Sequence, residues 1–191
     1  MKIGILNSGG YNWNSIAFAL NRLGIDDVVI VKSPQDFALC DKIIIPGVGH
    51  AKTAMELLRQ QDLIDVIKNT TKPVLGICLG MQLMFSKSQE GDVDCLKIFD
   101  EEIIKLPSHV NIPQMGWNKL ENGKYKDQFI YFANSYFAKP NADTEAFVDY
   151  DGIKVAAIVR KNNFYGCQFH PEKSGTVGEN ILRDFIFPFT Q

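Results

Sequence analysis

Val74-Leu75-Gly76-Ile77-Cys78-Leu79-Gly80-Met81-Gln82 is the stretch whose reading decides the fold. An apolar run enters Gly-x-Cys-x-Gly and leaves as helix-like sequence, the cysteine form of a strand-to-helix nucleophile turn. Such a turn lifts its middle residue out of the sheet at the carboxyl end of a strand, where open α/β sheets place their ligands. Gly76 and Gly80 leave room where side chains would collide. The Cys78 thiol then stands at a helix N-terminus, whose backbone N–H groups and dipole favour the reactive thiolate. The same spacing also suits a cysteine buried at a tight turn for packing alone. Cys40, Cys95 and Cys167 lack such a frame and read as packing residues.

Outward from this turn, the first half of the chain alternates apolar runs with amphipathic ones. Strands are expected at residues 3–6, 28–31, 42–45 and 73–77. Helices are expected at 14–23, stopped by Gly24, at 53–68, and from 81 through 86. Strands alternating with helices imply a parallel sheet covered on both faces. The second half reads as strands at 98–106, 129–137, 146–150, 155–160 and 165–169, with a last helix at 177–186. These extend the parallel core with antiparallel pieces, so one continuous α/β domain over 1–191 fits better than two.

Composition limits the function classes. The 191 residues suffice for one sizeable core. A formal net charge of −2 makes no broad case for nucleic acid or an anionic membrane. The four cysteines form no C-x-x-C pair and no zinc-ligand spacing, and no disulfide framework is expected. No apolar run approaches the roughly 20 residues that span a bilayer. The start at Lys2-Ile3-Gly4-Ile5-Leu6 lacks a signal-peptide pattern. The expectation is a cytoplasmic protein with reduced thiols.

A thiol nucleophile needs a base, and the chain has three histidines. His170, in Gly166-Cys167-Gln168-Phe169-His170-Pro171-Glu172-Lys173-Ser174, ends an apolar run. In an extended segment His170 and Glu172 point to the same side, and Pro171 favours such a path. The carboxylate can then hold one ring nitrogen and leave the other facing the thiol. A surface His-Pro-Glu turn is the competing reading. Ile43 to Ile45 followed by Pro46-Gly47-Val48-Gly49 is a further strand ending in a glycine turn, which can offer N–H groups to an oxyanion or serve simply as a loop.

The order Pro46-Gly47-Val48-Gly49, then Gly76-Ile77-Cys78-Leu79-Gly80-Met81-Gln82, then Gln168-Phe169-His170-Pro171-Glu172-Lys173-Ser174 resembles class I glutamine amidotransferases. The likeness spans essentially the whole chain and implies a three-layer α/β domain. Asn12-Trp13-Asn14-Ser15, Met115-Gly116-Trp117-Asn118, and Tyr131-Phe132 with Ser135-Tyr136 narrow it to the glutaminase subunits of imidazole glycerol phosphate synthase. The resemblance implies Cys78 as nucleophile, His170 as base and acid, and Glu172 as orienter. It implies oxyanion donors at Val48, Gly49 and Leu79, and glutamine-binding positions at Gly47, Gln82, Ser135 and Tyr136. Asn12, Trp117, Tyr131 and Lys173 match positions facing a cyclase subunit, a (β/α)8 barrel that receives the ammonia. Neither metal nor bound cofactor is implied.

The chain departs from that pattern at Asn134 and Gln114, where the subfamily usually has histidines, at Asn7-Ser8, and at His50. These departures leave the triad intact. They keep two other readings open: a paralogous glutaminase feeding a surface-sugar amidation, and a freestanding γ-glutamyl cysteine hydrolase. A non-catalytic scaffold would require Cys78 to be unreactive.

Overall fold

The computed structural model describes residues 1–10 and 13–187. The described elements run in chain order as β1 (Ile3–Leu6), α1 (Trp13–Arg22), β2 (Val28–Val31), α2 (Pro34–Ala38), β3 (Lys42–Ile45), α3 (Ala51–Gln60) and α4 (Ile64–Lys68). Next come β4 (Val74–Ile77), α5 (Leu79–Gln82), β5 (Lys87–Ser88), β6 (Val93–Asp94), β7 (Glu102–Lys105), β8 (Gln114–Lys119) and β9 (Phe129–Asn134). The chain continues through β10 (Tyr136–Phe137), β11 (Thr144–Tyr150), β12 (Ile153–Lys161), β13 (Phe164–Cys167), a 3-10 turn at Pro171–Lys173, and α6 (Gly175–Ile186).

Seven strands form the central sheet in the order β11-β12-β13-β4-β3-β1-β2. From β13 to β2 the neighbours are parallel; β11, β12 and β13 pair antiparallel. This is the expected parallel core with antiparallel extensions in one α/β domain. Successive residues of a strand face opposite sides of a sheet. Accordingly Ile43 and Ile45 enter one core, with α3 and α4, while Ile44 enters the other, with α1 and α6. The parallel strands are apolar on both faces because both faces are covered.

Several boundaries differ from expectation. The helix expected at 53–68 is two helices. Asp62 adopts φ 56°, and Leu63 N–H closes back on the Leu58 carbonyl at 3.0 Å, ending α3 without a glycine to announce it. The helix expected at 81–86 begins two residues earlier, at Leu79 directly after Cys78, and lasts four residues. The run at 98–106 contains strand only at β7. The run at 129–137 breaks at Ser135 into β9 and β10, which join different sheets. The strand β8 was not expected at all. It pairs with β9 in a two-stranded ribbon that places Met115 and Trp117 outward, 64% and 54% exposed.

The turn after β4 sits where the packing is tightest. A Cβ on Gly80 would lie 2.0 Å from the Ile45 carbonyl oxygen, and one on Gly76 would lie 2.6 Å from the Gly80 carbonyl. These glycines are required by close approach of backbone, not by an unusual φ. Gly80→Ala should therefore cost about 3 kcal/mol in urea unfolding, since a backbone carbonyl in the central sheet cannot step aside. Gly24→Ala, which meets nothing within 4 Å but has φ +82°, should cost about 1 kcal/mol from strain alone.

Candidate active site

β4 and β13 hold Cys78. The Cys78 N–H donates to the Cys167 carbonyl at 2.7 Å, one step beyond the Ile77 and Cys167 pairing. Cys78 takes φ 48° and ψ −106°, a conformation that residues bearing a Cβ rarely adopt and that costs about 1–3 kcal/mol. It caps α5. Four residues make a small dipole, so what α5 offers is its first N–H groups, beginning with Leu79, which have no acceptor within the helix. The side chain of Cys78 is buried, with Gln168 Nε2 at 3.6 Å and the Ala133 carbonyl at 4.0 Å from Sγ.

After β13, Gln168 and Phe169 lead to His170, also buried. The pairing of His170 with Glu172 is present, but the extended path expected for it is not. His170 itself is extended, and Pro171–Lys173 then forms one 3-10 turn. Pro171 fits the start of that turn because the N–H it lacks would have no partner there. The turn, rather than strand alternation, brings Glu172 Oε1 to 2.8 Å from His170 Nδ1. Nε2 remains for the cysteine. The loop is fixed from outside: His170 N–H donates to the Tyr131 carbonyl at 2.9 Å, and Ser174 Oγ donates to the His170 carbonyl at 2.7 Å while accepting from Tyr131 N–H at 3.0 Å.

Burial opposes a charge on His170. Its hydrogen bonds with Cys78 and Glu172, together with their negative charge, outweigh burial and push its pKa from 6.5 up to about 10. At neutral pH the imidazole is thus an imidazolium beside sulfur. Burial pushes the Cys95 thiol up to about 12 and raises those of Cys40 and Cys167 as well. None of these three is a nucleophile at neutral pH.

A cavity of about 320 Å³ opens over Cys78 and His170. Gly47, Val48, Gly49, Leu79, Gln82, Ser135, Tyr136 and Lys173 also line it. Gln82 is committed to the protein: its Nε2 donates to the Tyr136 carbonyl at 2.8 Å and to Gln168 Oε1 at 2.9 Å. The Val48 carbonyl packs on Gly10, where a Cβ would lie 2.1 Å from that oxygen. Trp117 and Tyr131 lie outside this cavity, edge to face at 5.9 Å on the outer side of the β8 and β9 ribbon. Asn12 lies outside the described residues. Sequence reasoning missed Glu90, whose Oε2 accepts from Ala51 N–H at 2.8 Å and which also lines the cavity. No motif surrounds it. Asn134 and Gln114, the two departures, touch each other: Asn134 Nδ2 donates to Gln114 Oε1 at 3.3 Å. A larger cavity of about 600 Å³, beside α6, contains none of the triad. Among the described residues no group of three His, Cys, Asp or Glu side chains is placed to hold a metal ion.

A family model described as class-I glutamine amidotransferase matches residues 5–189. The chain belongs to that family. Among amidotransferase relatives, the imidazole glycerol phosphate synthase subunit HisH of Pasteurella multocida is 44% identical, with 97% of each chain covered. HisH of Bacteroides thetaiotaomicron is 42% identical over 97% of this chain and 99% of that one. HisH of Escherichia coli is 41% identical over the same shares. A crystal structure of a glutamine amidotransferase superposes with a TM-score of 0.79 at 18% identity, covering 97% of both chains. At that identity it speaks for the amidotransferase fold alone.

The His170 proton gives a direct test. Because the folded pKa lies above 6.5, the stabilisation from the charged ring is complete below that pH and is lost as pH rises through about 10. Ring 15N shifts should report an imidazolium throughout the neutral range and a titration near pH 10. In Cys78→Ala the midpoint should fall. The excess thermal stability of wild type over His170→Gln should shrink over the same interval.

Proposed function

We propose that this chain is the glutamine-hydrolysing subunit of an imidazole glycerol phosphate synthase, with residues 1–191 forming its glutaminase domain in the cytoplasm. The observation that carries the chemistry is the buried Cys78, His170 and Glu172 constellation at the floor of a glutamine-sized cavity. The near full-length identity to HisH subunits supports the pathway.

Cys78 sulfur attacks the side-chain amide carbon of glutamine. The developing oxyanion is met by the Leu79 N–H and by N–H groups of the Val48 and Gly49 strand. His170 gives its Nε2 proton to the leaving nitrogen, and ammonia departs from the thioester. His170 then takes a proton from water, which attacks the thioester and releases glutamate. Glu172 holds Nδ1 throughout and stabilises the imidazolium. Glu90 suits the α-ammonium of glutamine, and Gly47, Ser135, Tyr136 and Gln82 shape the rest of the pocket. No metal or cofactor takes part in this scheme.

The partner is a cyclase subunit with a (β/α)8 barrel, docked through the outer side of β8 and β9. Met115, Trp117, Tyr131 and Phe129 make an apolar patch there, Lys173 belongs to the same interface, and the resemblance alone assigns Asn12 to it. Exposed apolar patches of this kind mark association surfaces. Ammonia is mostly protonated at neutral pH and then not nucleophilic, so a closed passage from Cys78 into the barrel preserves its reactivity.

Glutamate release should be slow for the chain alone and strongly stimulated by a histidine-pathway cyclase carrying its nucleotide ligand. Cys78→Ala should abolish both rates. Stimulation only by a different barrel synthase would move the reading to the surface-sugar paralogue, and full activity without any partner would favour the freestanding hydrolase. Trp117→Ala should weaken partner binding about 10-fold or more in a titration, as expected of a central aromatic anchor.

A further inference from the structure

Four buried side-chain amides lie around and beyond the nucleophile: Gln82, Gln114, Asn134 and Gln168. Their orientations follow from one backbone atom. The Tyr136 carbonyl can only accept, so Gln82 must present Nε2 to it, at 2.8 Å. The same Nε2 reaches Gln168 at 2.9 Å, so Gln168 must offer Oε1 there. Gln168 Nε2 is thereby turned toward Cys78 Sγ, at 3.6 Å. Gln168 is fully buried and is not part of the cavity wall. A buried amide held this firmly is a fixed dipole with its positive end on the sulfur.

We propose that Gln168 is a further catalytic residue: its side-chain N–H is a second donor to the Cys78 sulfur, stabilising the thiolate that attacks and the thiolate that leaves. The inference rests on Cys78 being the nucleophile. In acylation the sulfur enters as an anion and loses its charge as the S–C bond forms; the charge passes to the carbonyl oxygen, whose collapse expels ammonia with the His170 proton. In deacylation the S–C bond breaks and the electron pair returns to sulfur. His170 is then recharged by the proton taken from water. The sulfur is anionic at both ends of the cycle, and the Gln168 N–H faces it at both ends without transferring its proton. His170 is charged at those same two points but gives up its proton in between, so Gln168 acts beside it as the donor that keeps its own proton through the whole cycle.

Gln168→Glu keeps an oxygen for Gln82 but presents no N–H to the sulfur; Gln168→Met removes both bonds at similar volume. With the barrel partner present, kcat for glutamate release should fall about 10- to 100-fold, the range for a lost hydrogen bond to a charged group. KM should stay within about twofold, since Gln168 does not line the cavity; a merely structural role would not divide the two constants in this way. Alkylation of Cys78 by iodoacetamide at fixed pH, which needs neither glutamine nor partner, should slow in parallel. A folded variant that keeps wild-type kcat and alkylation overturns the proposal. One measurement leaves Gln168 unmutated: its side-chain 15N–H signals should move when Cys78→Ala removes the sulfur, and unmoved signals also overturn it. If alkylation slows in the variants but wild type never releases glutamate with any partner, the Gln168 donor stands and the glutaminase reading falls.

Discussion

Everything at the active site depends on one backbone bond, from the Cys78 N–H to the Cys167 carbonyl. It ties the strained residue to the neighbouring strand at the point where the chain must leave the sheet. Without such a tie, φ 48° would relax and the thiol would drop back among the side chains of the core. Gly76, Gly80 and Ile45 press in from the other side with contacts too close for any Cβ. The strain is thus held by the most protected part of the molecule, the inner strands of a sheet covered on both faces. A mobile loop would hold it less well, because exposed segments open locally at little cost in free energy.

The second half of the site comes from the same strands. β13 lies next to β4, so the residues that follow each strand emerge side by side. The His170 loop is then fastened to β9 through Tyr131 and Ser174. β9 also carries the exposed aromatic surface of the ribbon. A partner docked on that surface would rest directly on the strand whose backbone positions His170. A partner there would need no long route to His170, whose N–H donates directly to the Tyr131 carbonyl.

The parts legible in the sequence were those governed by burial. β1, β2, β3 and β4 are short apolar runs because both sheet faces are covered, and their ends could be read within a residue. The grouping of Cys78 with His170 and Glu172 was legible because Gly-x-Cys-x-Gly and His-Pro-Glu each have few physical uses. What escaped reading had a local cause in each case. Asp62 in a left-handed conformation ended α3 where a glycine would have given warning. In β8 the outward positions carry Met115 and Trp117 while Gln114 points inward, so its alternation is inverted relative to a solvated strand. The contact between His170 and Glu172 was anticipated on a mistaken geometry, since a 3-10 turn brings i and i+2 together as effectively as a strand does. Glu90 and the buried amides had no signature, because a lone glutamine or glutamate has meaning only from what surrounds it.

Gln114 and Asn134 sit directly opposite each other in the β8 and β9 register, both buried, each bonded to the other. Gln114 is further tied to Asn118, and Asn134 to the Tyr136 carbonyl. For selection the two positions are therefore one character. Replacing either alone leaves the other amide facing a group it does not match, at the cost of a buried unmet bond. An exchange of this pair one residue at a time passes through a state with a buried unmet amide. Only Asn134 of the two lines the pocket, so a change at Gln114 reaches the pocket through its partner.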